Sequence, residues 1–248
     1  MSILVIEHEE GEHAGRLGTT LRDLNHHLDI RQVWHGHSLP AGLDEFEAVI
    51  SLGGPMNAWQ AIDYVWMREE INLLREAHEQ KMPIVGICLG CQLLAVALGG
   101  EVGPMEKNSE TNPSGLEIGW HEIKMAFPGT VEALFAGLPW KQMQFHWHGA
   151  EVKKLPAGAA PLAGSKLCRT QAFHAGVRSY GFQYHFEVTR SQIEYWSRKG
   201  KEQPAAAGIQ HVHLALETNQ YYADYSRLGD RLCNAIANYL IPAVPLAY

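Results

Sequence analysis

The first hundred residues alternate between short β-rich runs and longer helical patterns, and this alternation restricts the fold more than any other feature of the sequence. A first strand is predicted at 2–8 and a crossover helix at 15–28. Further strands are predicted at 30–35 and 47–54, before a helix at 64–80. Strands joined by helices in this order are typical of parallel β-α units. The sequence therefore predicts an α/β fold with an open, mostly parallel sheet flanked by helices.

The second half of the chain has a different pattern. Strand-like segments at 117–125, 143–152 and 177–187 are separated by Gly and Pro turns. Such segments indicate antiparallel additions that make the sheet mixed. From residue 190 onward the pattern is helical again. We therefore predict a single domain over residues 1–248, in which 190–248 form a helical C-terminal extension.

Charge and composition disfavour several classes of partner. The formal net charge is −7 and the pI is near 6.0, so we expect no nucleic-acid or membrane-surface binding. The N-terminal segment has acidic residues where a signal peptide has lysine or arginine, and no run is long enough for a transmembrane helix. A cytoplasmic protein is expected. The four cysteines are few for this length and are expected to be thiols.

A cysteine lies at a predicted strand-to-helix turn in PIVGICLGCQLLAVALGG, residues 83–100. Gly86-Ile87-Cys88-Leu89-Gly90 has the spacing of a nucleophile elbow, in which a reactive residue is flanked by glycines on a sharp turn. A sulfur there would lie at the carboxyl end of a central strand and at a helix N-terminus, which favours thiolate. The backbone amide of Leu89 would supply half of an oxyanion hole.

Other interpretations of this cysteine stay open on spacing alone. A buried structural thiol is the common case for an isolated cysteine. Cys88 and Cys91 also form a C-x-x-C pair, which can be redox-active or bind metal. A zinc site would need a second pair of ligands, whereas Cys168 and Cys233 stand alone. A second oxyanion donor is expected from the glycine loop at 51–55, which follows a predicted strand.

A nucleophilic cysteine needs a base, and His185 is the best candidate. In GFQYHFE, residues 181–187, His185 and Glu187 are two positions apart. On an extended strand both side chains would share a face, so the carboxylate can orient the ring while the other nitrogen faces the sulfur.

Two further histidine pairs, His146 with His148 and His211 with His213, would also share a face if extended. Such pairs can bind metal, but the sequence places no carboxylate or cysteine beside them. We therefore expect structural histidines and no metal site.

Three separated motifs together resemble the class I glutamine amidotransferase family. They are GGP at 53–55, GICLGCQLLA at 86–95 and QYHFE at 183–187. The resemblance covers roughly residues 1 to 190 and agrees in order and separation. EIGW at 117–120 and FHWHG at 145–149 also resemble stretches of family members.

The resemblance implies a Cys-His-Glu catalytic triad. Cys88 would attack a γ-glutamyl amide carbon, His185 would transfer the proton and Glu187 would orient the ring. The amides of Gly54 and Leu89 would hold the oxyanion.

Further positions follow from the same resemblance. Gln92 and Gly53 would bind the glutamyl group, and His148 would line the pocket or support the fold. The chain departs from the family at Phe186, where proline is usual, and at Tyr184, where phenylalanine is more frequent. Neither change removes a reacting group.

The resemblance leaves three functions open. The leading one is a free-standing glutaminase-type hydrolase or transferase, similar to γ-glutamyl peptidases, that acts on glutamine or a γ-glutamyl compound without a cofactor. The segment after residue 190 is too short for a synthetase domain. The second is a glutaminase subunit that supplies ammonia to a separate synthetase chain. The third is a non-catalytic redox-sensing or binding module that uses Cys88 and Cys91.

Overall fold

A computed structural model describes residues 1–200 and 202–242. The strands in this part of the chain are β1 (Ser2–Glu7), β2 (Leu28–Gln32), β3 (Phe46–Ser51), β4 (Ile84–Ile87), β5 (Glu101–Pro104), β6 (Glu117–Met125), β7 (Lys141–His148), β8 (Ala150–Lys154), β9 (Ala159–Ser165), β10 (Ala172–Ala175) and β11 (Ser179–Phe182). The α-helices are α1 (Gly15–Asp23), α2 (Val65–Glu79), α3 (Leu89–Ala97), α4 (Arg190–Lys199), α5 (Glu202–Ala206) and α6 (His211–Ala235). A π-helical turn, Ile236–Leu240, continues α6.

Nine of these strands form one mixed sheet in the order β2-β1-β3-β4-β11-β10-β9-β6-β7. The first five strands in that order run parallel to one another, and the other four are joined by antiparallel pairings. β5 and β8 form a separate antiparallel pair. The predicted α/β class and the antiparallel additions are confirmed.

The core lies on both faces of the parallel strands. In β1, Ile3 and Val5 pack into the cluster that includes α1 and α6, whereas Leu4 and Ile6 pack into the cluster that includes α2 and α3. This alternation follows from the two-residue period of a strand, and burial on both faces explains the continuous apolar runs in the sequence.

The parallel pairing positions the functional site. β3, β4 and β11 are neighbours, and their carboxyl ends meet at one edge of the sheet. The chain leaves this edge at Leu52, at Cys88 and at Gln183. The three motifs that carry the family resemblance are therefore adjacent in space.

Several sequence-based boundaries were wrong. The predicted strand at 177–187 ends at Phe182, and the predicted strand at 143–152 is divided between β7 and β8. Between β6 and β7 the chain forms two short 3-10 turns, Gly129–Val131 and Ala133–Phe135.

The helical C-terminal extension is present as α4, α5 and α6, although residues 201 and 243–248 lie outside the described residues. That the chain forms a single domain stays a prediction. Across residues 1–200 and 202–242, no helix has both the length and the apolarity that crossing a bilayer requires.

Candidate active site at the carboxyl edge of the sheet

Cys88 lies on a strained turn between β4 and α3. Its backbone has φ 52° and ψ −105°, a conformation that non-glycine residues seldom adopt. The Cys88 amide donates to the Phe182 carbonyl at 2.8 Å, which ties the turn to β11. Gly90 permits this geometry because a Cβ there would collide with the Ser51 carbonyl oxygen. The turn therefore holds the thiol at the edge of the sheet.

His185 is fixed beside this edge by partners from four segments. Its Nδ1 lies 2.8 Å from Glu187 Oε1. Its amide donates to the Phe145 carbonyl at 2.9 Å, and the Tyr225 hydroxyl donates to its carbonyl at 3.0 Å. The ring packs edge-on against Trp196, with 4.9 Å between centroids. The imidazole is thus buried and oriented.

The His185–Glu187 pair forms although residues 183–187 are not a strand. Only an isolated bridge to Phe145 joins His185 to the sheet. The sequence-based argument from a shared strand face was therefore wrong in its geometry, although the predicted pairing is present.

Cys88 and His185 line the same cavity, whose volume is about 320 Å³. Gly54, Gln92 and Trp147 also line it. The Cys88 thiol faces the Trp147 carbonyl oxygen at 3.9 Å. A larger cavity of about 1250 Å³ lies over β6 and β9, but Cys88 does not border it. We assign the candidate site to the smaller cavity because the titratable groups converge there.

The charges around the cavity favour a protonated His185. Burial alone lowers the pKa of this imidazole, but the charge and hydrogen bond of Glu187, together with the interaction with Cys88, raise it well above its ordinary value. Burial also raises the pKa of Glu12 to about 7, and this carboxyl lines the same cavity. An imidazolium at this position favours the thiolate form of a neighbouring cysteine.

The glycine loop after β3 closes one side of the cavity. A Cβ at Gly53 would lie 3.0 Å from His185 Cε1, and a Cβ at Gly54 would lie 2.8 Å from His8 Cβ. Both positions therefore require glycine for close approach. The amides of Gly54 and Leu89 have no hydrogen-bond acceptor among the described residues.

His8 holds this loop in a set orientation. Its Nδ1 lies 3.0 Å from the Gly53 carbonyl oxygen and 3.1 Å from that of Leu52. Because both partners are acceptors, Nδ1 carries the proton. In a planar trans peptide the amide points opposite to the carbonyl, so the Gly54 N–H points away from His8. Gly54 itself lines the cavity.

A buried network anchors His8 in turn. Its Nε2 lies 2.7 Å from Glu70 Oε2, and the Ser51 hydroxyl donates to Glu70 Oε1 at 2.5 Å. Burial lowers the pKa of His8, but the charge and hydrogen bond of Glu70, together with the Gly53 carbonyl and the charge of Glu12, raise it above its ordinary value. The His8 ring also stacks on Trp66, with 5.1 Å between ring centroids. Sequence analysis missed this network.

Gln92 and Cys91 lie on α3, directly after the turn. The Gln92 side chain lines the cavity and donates to Gln183 Oε1 at 3.2 Å. Cys91 is fully buried, and burial raises the pKa of its thiol well above the usual value. Only one member of the C-x-x-C pair therefore borders the cavity.

The other predicted histidine pairs have different outcomes. His148 lines the cavity, and His146 is buried next to it on β7. His211 and His213 are exposed on helix α6, where a two-residue spacing does not place side chains on one face. This agrees with the helical pattern predicted after residue 190, so the shared face considered for an extended segment does not arise.

Comparisons with known proteins identify the family. The sequence profile described as "Glutamine amidotransferase class-I" matches residues 14–196. The glutamine amidotransferase-like protein YfeJ of Salmonella typhimurium is 28% identical over 236 residues, covering 94% of each chain. A glutamine-hydrolysing GMP synthase subunit of Pyrococcus furiosus is 32% identical over 191 residues, covering 77% of this chain and 92% of that protein.

Solved structures agree with the profile. The crystal structure of a glutamine amidotransferase from Thermotoga maritima superposes with a TM-score of 0.83 at 26% identity, covering 98% of this chain and 99% of that one. A glutamine amidotransferase from Methylobacillus flagellatus gives the same TM-score and identity, covering 94% of this chain and 93% of that one. This chain belongs to the class I glutamine amidotransferase family.

Proposed function

We propose that this chain hydrolyses or transfers the γ-glutamyl group of glutamine or of another γ-glutamyl amide through a thioester on Cys88. The observation that carries the proposal is the strained Cys88 turn, which borders one cavity together with His185, whose ring is paired with Glu187. Membership of the family supplies the reaction class, glutamine hydrolysis.

The chemistry proceeds in two steps. The Cys88 thiolate attacks the γ-carbonyl carbon, and the C–N bond breaks as the imidazolium of His185 donates a proton to the leaving amine or ammonia. Neutral His185 then takes a proton from water or an acceptor amine, which attacks the thioester and releases Cys88. Glu187 stabilises the imidazolium and fixes its tautomer through the bond at Nδ1.

The amides of Gly54 and Leu89 stabilise the oxyanion in both steps. We assign His8 as a positioning residue, since its bond to the Gly53 carbonyl orients the neighbouring peptide. Gln92 and Gly53 are assigned to bind the glutamyl group, because Gln92 lines the cavity and Gly53 closely approaches the His185 ring.

A diazo-ketone analogue of glutamine tests the nucleophile. We expect it to label Cys88 stoichiometrically, with the label lost in Cys88→Ala and retained in Cys91→Ala. Labelling that persists in Cys88→Ala would refute the assignment. A panel of γ-glutamyl amides and dipeptides then identifies the substrate by its kcat/KM.

An ammonia-supplying role beside a separate synthetase is the second candidate, favoured by the likeness to the GMP synthase subunit of Pyrococcus furiosus. Co-purification with a nucleotide-dependent synthetase, and glutaminase activity that rises on mixing the two chains, would support it. A redox-sensing module is disfavoured, because burial opposes thiolate formation at Cys91.

A further inference from the structure

Strands β6 and β7 carry a cluster of three buried polar side chains behind the wall of the thiol cavity. Glu117 lies directly opposite His148 across the strand pair, and His146 is two residues earlier on β7, on the same face. Glu117 Oε2 lies 3.1 Å from His148 Nε2 and 3.8 Å from His146 Nδ1. One ligand atom from each residue lies within 4.8 Å of the other two.

The hydrogen bonds of this cluster are incomplete. His148 Nδ1 lies 3.0 Å from the Ala150 carbonyl and therefore carries its proton, which leaves Nε2 of a neutral ring as a lone pair facing a carboxylate oxygen. Neither ring nitrogen of His146 has a hydrogen-bond partner among residues 1–200 and 202–242, and the side chain is fully buried. Buried lone pairs that face a carboxylate need a cation or a donor between them.

The carboxylate is already oriented toward the two rings. The Ser165 hydroxyl donates to Glu117 Oε1 at 2.6 Å, and the Gln171 side-chain amide donates to Oε2 at 2.6 Å. Outer hydrogen bonds of this kind fix the ligating oxygen in metal sites.

We propose that Glu117, His146 and His148 bind one divalent transition-metal ion, for which zinc is the best match. Two imidazoles and one carboxylate are a donor set that zinc prefers. In a tetrahedral zinc site, neighbouring ligand atoms are about 3.4 Å apart. The observed Glu117–histidine separations of 3.1 and 3.8 Å bracket that value. Water supplies the fourth ligand.

The site has a route to solvent and a structural consequence. Glu117 borders the large cavity over β6 and β9, and His148 borders the thiol cavity. The ion would cross-link β6 to β7, and β7 supplies the Trp147 carbonyl that faces Cys88. Its role is to fix this wall of the candidate active site, and the proposal stands whether or not Cys88 is a nucleophile.

Metal binding is tested on the Cys88→Ala protein, which removes the cavity-lining thiol as a competing ligand. The protein is purified without a metal-affinity step, dialysed against a chelator and titrated with Zn²⁺, and bound metal is quantified by mass spectrometry. We expect about one equivalent, with thermal stability raised by Zn²⁺. His146→Asn should weaken Zn²⁺ binding by about a hundredfold or more. His121→Asn is the matched control. The His121 ring packs edge-on against His146, with 5.5 Å between ring centroids, but His121 is not one of the three proposed ligands.

Binding of less than a stoichiometric amount, or binding that His146→Asn leaves unchanged, overturns the proposal. If His146→Asn does not fold, Co²⁺ substitution of the Cys88→Ala protein decides the question. The expected result is the intense ligand-field bands of four-coordinate nitrogen and oxygen ligation, without a sulfur charge-transfer band. A spectrum of aqueous Co²⁺, or one with thiolate ligation, refutes it.

Discussion

Glu187→Gln tests the proposed triad most directly, because it keeps the size of the side chain and removes its charge. The carboxylate lies 2.8 Å from His185 Nδ1, both side chains are buried, and Glu187 Oε2 has no hydrogen-bond partner among the described residues. The substitution therefore removes the charge that is paired with the ring at Nδ1. The equivalent loss in a serine triad lowers kcat about 10⁴-fold, which corresponds to an activation free energy higher by about 5 kcal/mol. We expect a decrease of that order with little change in KM.

The assay follows glutamate release together with the alkylation of Cys88 by iodoacetamide across pH. Because Glu187 raises the pKa of His185, its loss lowers that pKa, and we expect the pH profile of the alkylation to change with it. Glu194→Gln, the same change at an exposed position of α4, should match the wild type. The triad would be contradicted if Glu187→Gln kept a kcat within about tenfold of the wild type and left the alkylation profile unshifted.

Three further outcomes are expected. Gly90→Ala should destabilise the fold by about 3 kcal/mol or more in denaturant unfolding, because the added Cβ would collide with the Ser51 carbonyl oxygen. Gly42→Ala is the control and should be near neutral, because a Cβ there would meet no other atom. Glu12→Gln should remove an inflection near pH 7 from the pH profile of kcat/KM, since only the ionised carboxylate above that pH stabilises the neighbouring imidazolium. Thr189→Ala should cost about 1 kcal/mol in the same unfolding experiment, because the Thr189 hydroxyl caps α4.

The layered fold could be predicted because the central parallel strands are buried on both faces, whereas α1 and α2 each bury one face. The strand boundary at Phe182 could not be predicted, because residues 183–187 keep a strand-like composition. β11 pairs with β4, and β4 ends at Ile87 where the chain turns into Cys88. Beyond that point no neighbouring strand is available on that side. The boundary is thus set by the partner strand rather than by local propensity.

The candidate site was predictable to the extent that its signals are local. The spacing around Cys88 and the His185–Glu187 pair are visible within a few residues. The contact between His8 and Glu70 spans 62 positions and leaves no local pattern. One signal was available, since Glu70 occupies a buried position on the apolar face of α2, where a carboxylate needs a partner.

His8 and His185 lie on either side of the glycine loop at 51–55, and their contacts indicate whether the enzyme needs a partner protein. His8 holds the Gly53 carbonyl on one side, and His185 leaves no space for a Cβ on the other. Rotating the peptide between Gly53 and Gly54 would break the bond to His8, whose charge is paired with buried Glu70. A loop fixed in this way would present the proposed Gly54 donor before substrate arrives, so the proposed oxyanion stabilisation would not depend on a second protein. The purified chain should therefore show its full glutaminase kcat alone, and a synthetase that raised kcat by orders of magnitude would show that this orientation is not the resting one.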